Sequence, residues 1–190
     1  MTDHETTIAR RRLLAACALL PLGAQADERF WSLLREGGCV VLMRHAQTVA
    51  GVGDPPGFRL GDCRTQRNLS DEGREQARRV GEAFRQQGIV LSQVRSSAWC
   101  RCTDTADLAF GRHQVWPAIN SFFRNNSGEA QTREVLKAVP SVRSPENWML
   151  VTHQVNISAL TGEFPAMGEL FVTRPTTRGD RLTVMARLVI

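Results

Sequence analysis

The amino-acid sequence predicts an α/β fold, a layered structure in which helices pack on a mostly parallel sheet. Continuous apolar runs of strand length, such as residues 39–43 and 148–151, alternate along the chain with segments of helical periodicity. Reactive polar residues follow directly after these runs, where open α/β sheets bind their ligands. The 190 residues are enough for one domain with a hydrophobic core.

The predicted elements alternate as in a sheet built with right-handed crossovers. Local signals mark their ends: the Ser70 hydroxyl can accept from the amides of a first helical turn, and Gly88 suits a left-handed helix terminus. Helices are predicted over residues 27–36, 71–87, 98–110, 132–139 and 156–161, and strands over residues 39–43, 89–95, 114–116, 148–152, 169–174 and 182–190. Residues 46–68 form a long predicted loop, which is uncommon unless functional or disordered.

The first 26 residues carry the features of a cleaved secretory signal peptide. Three arginines precede an apolar run, residues 13–22, which is too short to span a bilayer, and residues 24–26 form an A-x-A cleavage pattern. We therefore expect a mature domain of residues 27–190 that is periplasmic or secreted, with no stable membrane insertion. Arg10 and Arg11 also fit a loose twin-arginine pattern, which is typical of proteins that are exported after folding. There are two alternatives to a cleaved secretory signal peptide. One is a lipoprotein cleavage box that ends at Cys17, and the other is an N-terminal amphipathic helix that is not cleaved.

The charge of the chain limits its partners. The net charge of +5 permits an anionic small molecule, a nucleic acid or a membrane surface. The basic residues are scattered, however, and tyrosine is absent, so the sequence offers no aromatic and basic platform for nucleic acid. We therefore expect a small anionic substrate and no nucleic acid.

Four cysteines remain after the predicted cleavage, and their spacing is not that of a zinc site. In an oxidising compartment we expect one disulfide, which joins Cys63 to either Cys100 or Cys102. Cys39 opens an apolar run and is expected to be a buried small residue. Four free thiols are the alternative.

Residues at three predicted strand ends have the chemistry of a phosphate site. Arg44 and His45 end the first buried strand, Arg101 lies in the first turn of a helix, and His153 ends another buried strand. Guanidinium forks match phosphate oxygens, and a helix N-terminus favours an anion. A neutral His45 can attack phosphorus, and nearby guanidinium charges are expected to depress its pKa. The nearby carboxylates are not spaced as Mg²⁺ or Zn²⁺ ligands, so we expect neither a metal nor another cofactor.

Four motifs between residues 39 and 162 resemble those of the histidine phosphatase superfamily, also called the phosphoglycerate mutase-like family. Residues 41–48 are similar to the RHG signature, residues 68–77 to the LTxxGxxQA helix start, residues 96–106 to the SSxxxRxxxTA segment, and residues 151–153 to the strand that carries the second histidine. The motifs occur in the family order, so their combination is more specific than any one of them.

The resemblance implies a phosphoglycerate mutase-like three-layer α/β/α sandwich. It also implies a phosphohistidine intermediate on His45, with the phosphoryl group bound by Arg44, Arg101 and His153. The expected site also includes two secondary substrate contacts, one from Thr48 and one from the backbone near Gln154.

The sequence departs from the family pattern at the general acid. Ala46 replaces the usual glycine after the nucleophile, and the two places where the family carries its acidic residue hold Ser121 and Gln154. A positioned acid is worth about 10²–10⁴-fold in rate. Glu129 is a candidate proton donor, with a solvated loop carboxylate as the alternative interpretation. A substrate with a good leaving group, such as an acyl phosphate, phosphoramidate or pyrophosphate, would need little protonation.

These observations predict an exported phosphatase of the histidine acid phosphatase type. It would hydrolyse a small phosphomonoester or phosphoanhydride and release inorganic phosphate. The alternative is a phosphate-binding or scaffold protein that has the same fold and has lost the acid. A mutase is less favoured, because a mutase must shelter its intermediate from water and the chain is short for a closing lid.

Overall fold

A computed structural model describes residues 22–123, 127–176 and 180–190. Most of the predicted signal peptide, residues 1–21, lies outside the described residues. Within the described ranges no helix is both long enough and apolar enough to cross a membrane.

One sheet of six strands forms the centre of the described part of the chain. The strands are β1 (Cys39–Arg44), β2 (Gln93–Ser96), β3 (Gln114–Val115), β4 (Asn147–Thr152), β5 (Leu170–Pro175) and β6 (Leu182–Leu188), in the order β3-β2-β4-β1-β5-β6. The first four strands are parallel to one another, whereas β5 and β6 return antiparallel at one side. The predicted mostly parallel sheet is therefore confirmed.

Helices cover both faces of the sheet. The described helices are α1 (Leu22–Glu36), α2 (Asp71–Gln86), α3 (Cys100–Phe110), α4 (Gly128–Ala138) and α5 (Gln154–Thr161). In β1, Val41 packs in a core with α1, α2 and α3, whereas Val40 and Leu42 pack in a second core with α4 and α5. Both faces of the strand are buried, which explains why its sequence is continuously apolar. The three-layer α/β/α sandwich is confirmed.

The predicted start of β2 is wrong because the end of α2 uses the same residues. Gly88 adopts a φ of 65°, and the amide of Ile89 donates to the Phe84 carbonyl at 3.0 Å. This bond closes the last turn of the helix, so residue 89 caps α2 and β2 begins only at Gln93. The start of α2 follows the prediction, since the Ser70 hydroxyl accepts from the Gly73 amide at 3.1 Å.

The structure selects one of the two predicted disulfides, Cys63 with Cys100. Cys102 is two residues further along α3, and this spacing turns its side chain to the opposite side of the helix. There Cys102 is a fully buried free thiol whose pKa is raised to about 12 by burial. Cys39 is also a buried free thiol, as predicted.

Candidate active site

A cavity of about 350 Å³ lies at the carboxyl ends of β1 and β4, beside the start of α3. In the register of β1 and β4, Arg44 pairs with Thr152, so His45 and His153 both follow directly at neighbouring strand ends. The His45 amide donates to the Thr152 carbonyl at 2.9 Å, and the two imidazole centroids are 5.5 Å apart. The parallel register therefore brings together two histidines that are far apart in sequence.

His45 is a neutral imidazole with one defined tautomer. Its Nδ1 lies 2.9 Å from the Ala46 carbonyl, which can only accept, so Nδ1 carries the proton and Nε2 carries the lone pair. Burial lowers the pKa of His45 to about 3, with further lowering by the charges of Arg101, Arg44 and Arg67. His45 therefore has the protonation state that a nucleophile needs over the ordinary pH range.

A chain of hydrogen bonds fixes the second imidazole. The Asn120 Oδ1 atom accepts from the Ala98 amide at 2.8 Å and from the Ser97 hydroxyl at 3.2 Å. Because Ser97 donates to Asn120, its oxygen accepts from His153 Nε2 at 2.8 Å. The other ring nitrogen, Nδ1, lies 3.5 Å from Arg101 Nη2. Burial, followed by the neighbouring His45 and Arg101, lowers the pKa of His153 well below its usual value.

Three guanidinium groups line the same cavity, from Arg44, Arg67 and Arg101. Each has a buried Nε–H group for which the described residues provide no acceptor. Burial and the charges of the neighbouring guanidiniums lower the pKa of Arg44 and of Arg67. An unsatisfied buried donor costs about 1–3 kcal/mol, and an anion would relieve both this cost and the mutual repulsion. The cavity is thus built to receive an oxyanion.

The family model described as "histidine phosphatase superfamily (branch 1)" matches residues 40–134, half of the 190-residue chain. The chain belongs to the histidine phosphatase superfamily. The predicted family is therefore confirmed, and membership supports phosphatase activity. The family suggests a small phosphorylated substrate, which is consistent with the cationic cavity. No curated protein matches the chain.

Solved structures of similar proteins share the fold. The protein histidine phosphatase SixA, complexed with tungstate, has 15% identity and a TM-score of 0.57, with 80% of this chain and 96% of that chain covered. The putative phosphohistidine phosphatase SixA from Agrobacterium tumefaciens has 20% identity and a TM-score of 0.53, with 80% and 97% covered. A putative alpha-ribazole-5'-P phosphatase from Escherichia coli has 18% identity and a TM-score of 0.55, with 78% and 95% covered.

Most of the predicted site residues lie at the cavity of this histidine phosphatase. The cavity is lined by Arg44, His45, Arg101, His153 and Gln154. The structure does not place Thr48 among these lining residues, because its buried hydroxyl faces Met167 Sδ at 3.7 Å and its backbone pairs with Leu69. The expectation that Thr48 contacts the substrate is corrected on this ground.

The structure also places Glu129 away from the cavity. Glu129 lies in the first turn of α4, its side chain is 91% exposed, and its carboxylate lies 3.5 Å from Arg133 Nη1. This is the solvated carboxylate of the alternative interpretation. The prediction of Glu129 as proton donor is corrected on this ground, since an acid must reach the leaving oxygen.

Two charged lining residues were missed by the sequence reasoning, Asp54 and Arg67. Both lie in the long loop of residues 46–68, which has no periodicity to reveal its path. A usable signal existed for Arg67, because it directly precedes the motif of residues 68–77. The start of α2 packs tightly against the segment after His45: a Cβ at Gly73 would lie 1.9 Å from the Gln47 carbonyl oxygen.

The loop that supplies these two residues is fastened to the start of α3. The Cys63–Cys100 disulfide joins the two segments, and the Cys100 amide donates to Gln66 Oε1 at 3.0 Å. Arg67 follows Gln66, and its amide donates to Asp54 Oδ1 at 3.1 Å. The disulfide therefore holds the loop side of the cavity against the helix that carries Arg101.

Replacing Cys63 by serine is expected to loosen this loop. The disulfide closes a separation of 37 residues, for which chain entropy predicts a loss of about 4 kcal/mol in the free energy of unfolding. We expect a lower melting temperature and a KM several-fold higher, because Arg67 is less firmly placed. Thermal denaturation and steady-state kinetics measure both. Dithiothreitol should reproduce these effects in the wild type and add nothing in the variant; unchanged stability in both would contradict the prediction.

The two buried imidazoles make stability depend on pH. Because folding lowers the pKa of His45 to about 3 and that of His153 well below 6.5, the unfolded chain binds protons that the folded chain does not as pH falls below about 6.5. We expect the free energy of unfolding to fall from pH 6 to pH 4 by up to about 1.4 kcal/mol per pH unit for each histidine. Urea denaturation at several pH values measures this slope.

The matched control is the double variant His45→Gln and His153→Gln, which keeps side chains of comparable polarity and removes both titrations. Its slope should be shallower than that of the wild type over the same pH range, since the two buried imidazoles no longer contribute. Equal slopes would show that the imidazoles are not held neutral in the folded protein.

Proposed function

We propose that this chain is an exported phosphatase that hydrolyses a small phosphomonoester or phosphoanhydride through a phosphohistidine on His45. The reaction is metal-independent and of the histidine acid phosphatase type. One observation carries the proposal: a neutral imidazole with its lone pair on Nε2 shares a buried cavity with three guanidiniums whose Nε–H groups lack acceptors among the described residues.

The cavity accounts for both steps of such a reaction. His45 Nε2 attacks phosphorus, so that a P–N bond forms while the bond to the leaving oxygen breaks. Arg44, Arg67 and Arg101 neutralise the charge on the equatorial oxygens, which is the main requirement of phosphoryl transfer. Water then attacks the phosphohistidine, the P–N bond breaks, and inorganic phosphate leaves. The bond from Nδ1 to the Ala46 carbonyl stabilises the imidazole in the attacking tautomer.

The proposal is tested by hydrolysis of p-nitrophenyl phosphate and acetyl phosphate between pH 5 and pH 8, followed by trapping of the intermediate. We expect activity that resists EDTA, is inhibited by vanadate, and deposits an acid-labile, base-stable phosphoryl group on His45. A peptide that carries phosphohistidine should be included, because one similar structure is named as a protein histidine phosphatase and another as a putative phosphohistidine phosphatase. Turnover without any phosphoenzyme would overturn the proposed mechanism.

A second candidate function is a phosphate-binding or scaffold protein. It is favoured by Ser121 and Gln154, which line the cavity at the places where the family carries its acidic residue. The same assays separate the two candidates. Tight binding of phosphate by calorimetry, with no turnover of any ester or anhydride, would support the scaffold and exclude the phosphatase.

Export is supported by the N-terminal sequence pattern and by the Cys63–Cys100 disulfide, which suits an oxidising compartment. Cleavage after Ala26 would remove the first residues of α1, which begins at Leu22. Protein isolated from the periplasm or medium should begin at Asp27. A cytosolic chain that still begins at Met1 would overturn this part of the proposal.

A further inference from the structure

Asp54 supplies a carboxyl group to the active-site cavity. Among the described residues that line the cavity, it is the one with a carboxylic side chain. Ser121 and Gln154 also line the cavity, but neither side chain can protonate a leaving alkoxide as a carboxylic acid does. A group able to act as general acid therefore enters this site from the long loop, at a position that the sequence motifs do not mark.

Two of the hydrogen bonds that place Asp54 reach the same carboxylate oxygen. Asp54 Oδ1 accepts from Arg101 Nη1 at 2.9 Å and from the Arg67 amide at 3.1 Å. The Asp54 side chain is 17% exposed, whereas that of Arg101 is 4% exposed. Asp54 is therefore the more exposed partner of a guanidinium whose other terminal nitrogen, Nη2, lies 3.5 Å from His153 Nδ1.

This arrangement matches what a leaving group requires. An in-line attack by the buried His45 sends the leaving oxygen away from the nucleophile, and Asp54 is a carboxylic side chain that lines the same cavity at a more exposed position. A bound phosphoryl group also competes with Asp54 for Arg101.

We propose that Asp54 is the proton donor of this phosphatase; the proposal rests on the phosphohistidine function proposed above. In the first step the P–N bond to His45 forms, the P–O bond to the leaving group breaks, and the carboxyl proton of Asp54 moves to the leaving oxygen. In the second step the Asp54 carboxylate takes a proton from the water that attacks phosphorus. The P–N bond then breaks, and Asp54 is again protonated.

A built-in acid defines the substrate class. An acyl phosphate or nitrophenyl ester expels a stable anion and gains little from protonation, whereas an aliphatic alkoxide must be protonated as it leaves. The natural substrate is therefore a phosphomonoester of an aliphatic alcohol. With Asp54 as the acid, the site can hydrolyse such an ester although Ser121 and Gln154 occupy the two positions where the family usually carries its acidic residue.

The test compares Asp54→Asn with the wild type on two leaving groups, glycerol 2-phosphate and acetyl phosphate. We expect kcat on glycerol 2-phosphate to fall by about 10²–10⁴-fold, with a much smaller loss on acetyl phosphate. The basic limb of the pH profile for glycerol 2-phosphate should disappear in the variant. Asp54→Glu should recover part of the lost rate, because it restores an acid at nearly the same place.

The matched control is Asp62→Asn, which removes a carboxylate of the same loop that pairs with Arg59 and Arg64 outside the cavity. It should hydrolyse both substrates as the wild type does. Equal losses on the two substrates in Asp54→Asn, with no change in the pH profile, would mean that Asp54 only positions Arg101, and would overturn the proposal. Failure of the wild type on both substrates would instead overturn the phosphatase function itself.

Discussion

Replacement of His45 by alanine is expected to lower kcat/KM at least about 10³-fold on p-nitrophenyl phosphate and to abolish the trapped phosphoenzyme. That loss corresponds to about 4 kcal/mol of transition-state stabilisation. The structure gives no ready substitute among the described residues, because His153 is engaged through both ring nitrogens, with Ser97 at 2.8 Å and Arg101 at 3.5 Å. Steady-state kinetics and an acid-quench label measure the two effects.

His113→Ala is the matched control for this experiment. His113 is an imidazole that pairs with Asp107 at 2.7 Å and does not line the cavity. Its removal should leave both activity and phosphoenzyme unchanged. Labelling of another residue in the His45 variant, or turnover equal to that of the wild type, would show that His45 is not the nucleophile.

Replacement of Arg101 by alanine is expected to lower kcat by about 10²–10³-fold, the usual effect of removing one preorganised donor to a developing oxyanion. Arg101 is 3% exposed, and its buried Nε–H has no acceptor among the described residues. Arg101→Lys should retain the charge but not the planar fork, so its activity should lie between those of the alanine variant and the wild type. Arg78→Ala, on the exposed side of α2, is the control and should match the wild type.

The Arg101 variant has a second readout in the pH profile. Arg101 is the largest electrostatic cause of the lowered pKa of His45, after burial itself. Its removal should raise the pKa of His45, so that the acidic limb of kcat/KM moves to higher pH. A variant that loses activity with an unmoved acidic limb would show that the guanidinium does not act on the nucleophile.

The predicted fold follows from signals that are local in sequence. A strand buried on both faces is continuously apolar, as in β1, and a helix start carries its own cap, as at Ser70. Because parallel strands present their carboxyl ends at one edge, residues that follow two such strands must meet there. Arg44, His45 and His153 were therefore placed correctly at one cavity by strand position and motif order.

The loop residues illustrate what local signals do not contain. Glycines and prolines make residues 46–68 recognisable as a loop, but they do not determine where each of its side chains lies. Asp54 and Arg67 reach the cavity because of contacts with segments elsewhere in the chain, among them the disulfide to Cys100 and the bond to Arg101. Glu129 is a similar case: the sequence made it a candidate proton donor, but in the structure its side chain on α4 is exposed to solvent.

The sequence by itself determined the layered α/β fold, the family, and the two histidines and two arginines at the strand ends. Hydrophobic periodicity, helix caps and motifs depend on residues that are close together in sequence. They can therefore be recognised without knowing how the rest of the chain folds. Only the tertiary structure decided the third arginine, the carboxyl group of Asp54, the partner of Cys63 and the tautomer of His45. Each of these depends on the distance between atoms that packing brings together, and that distance is fixed by the fold as a whole.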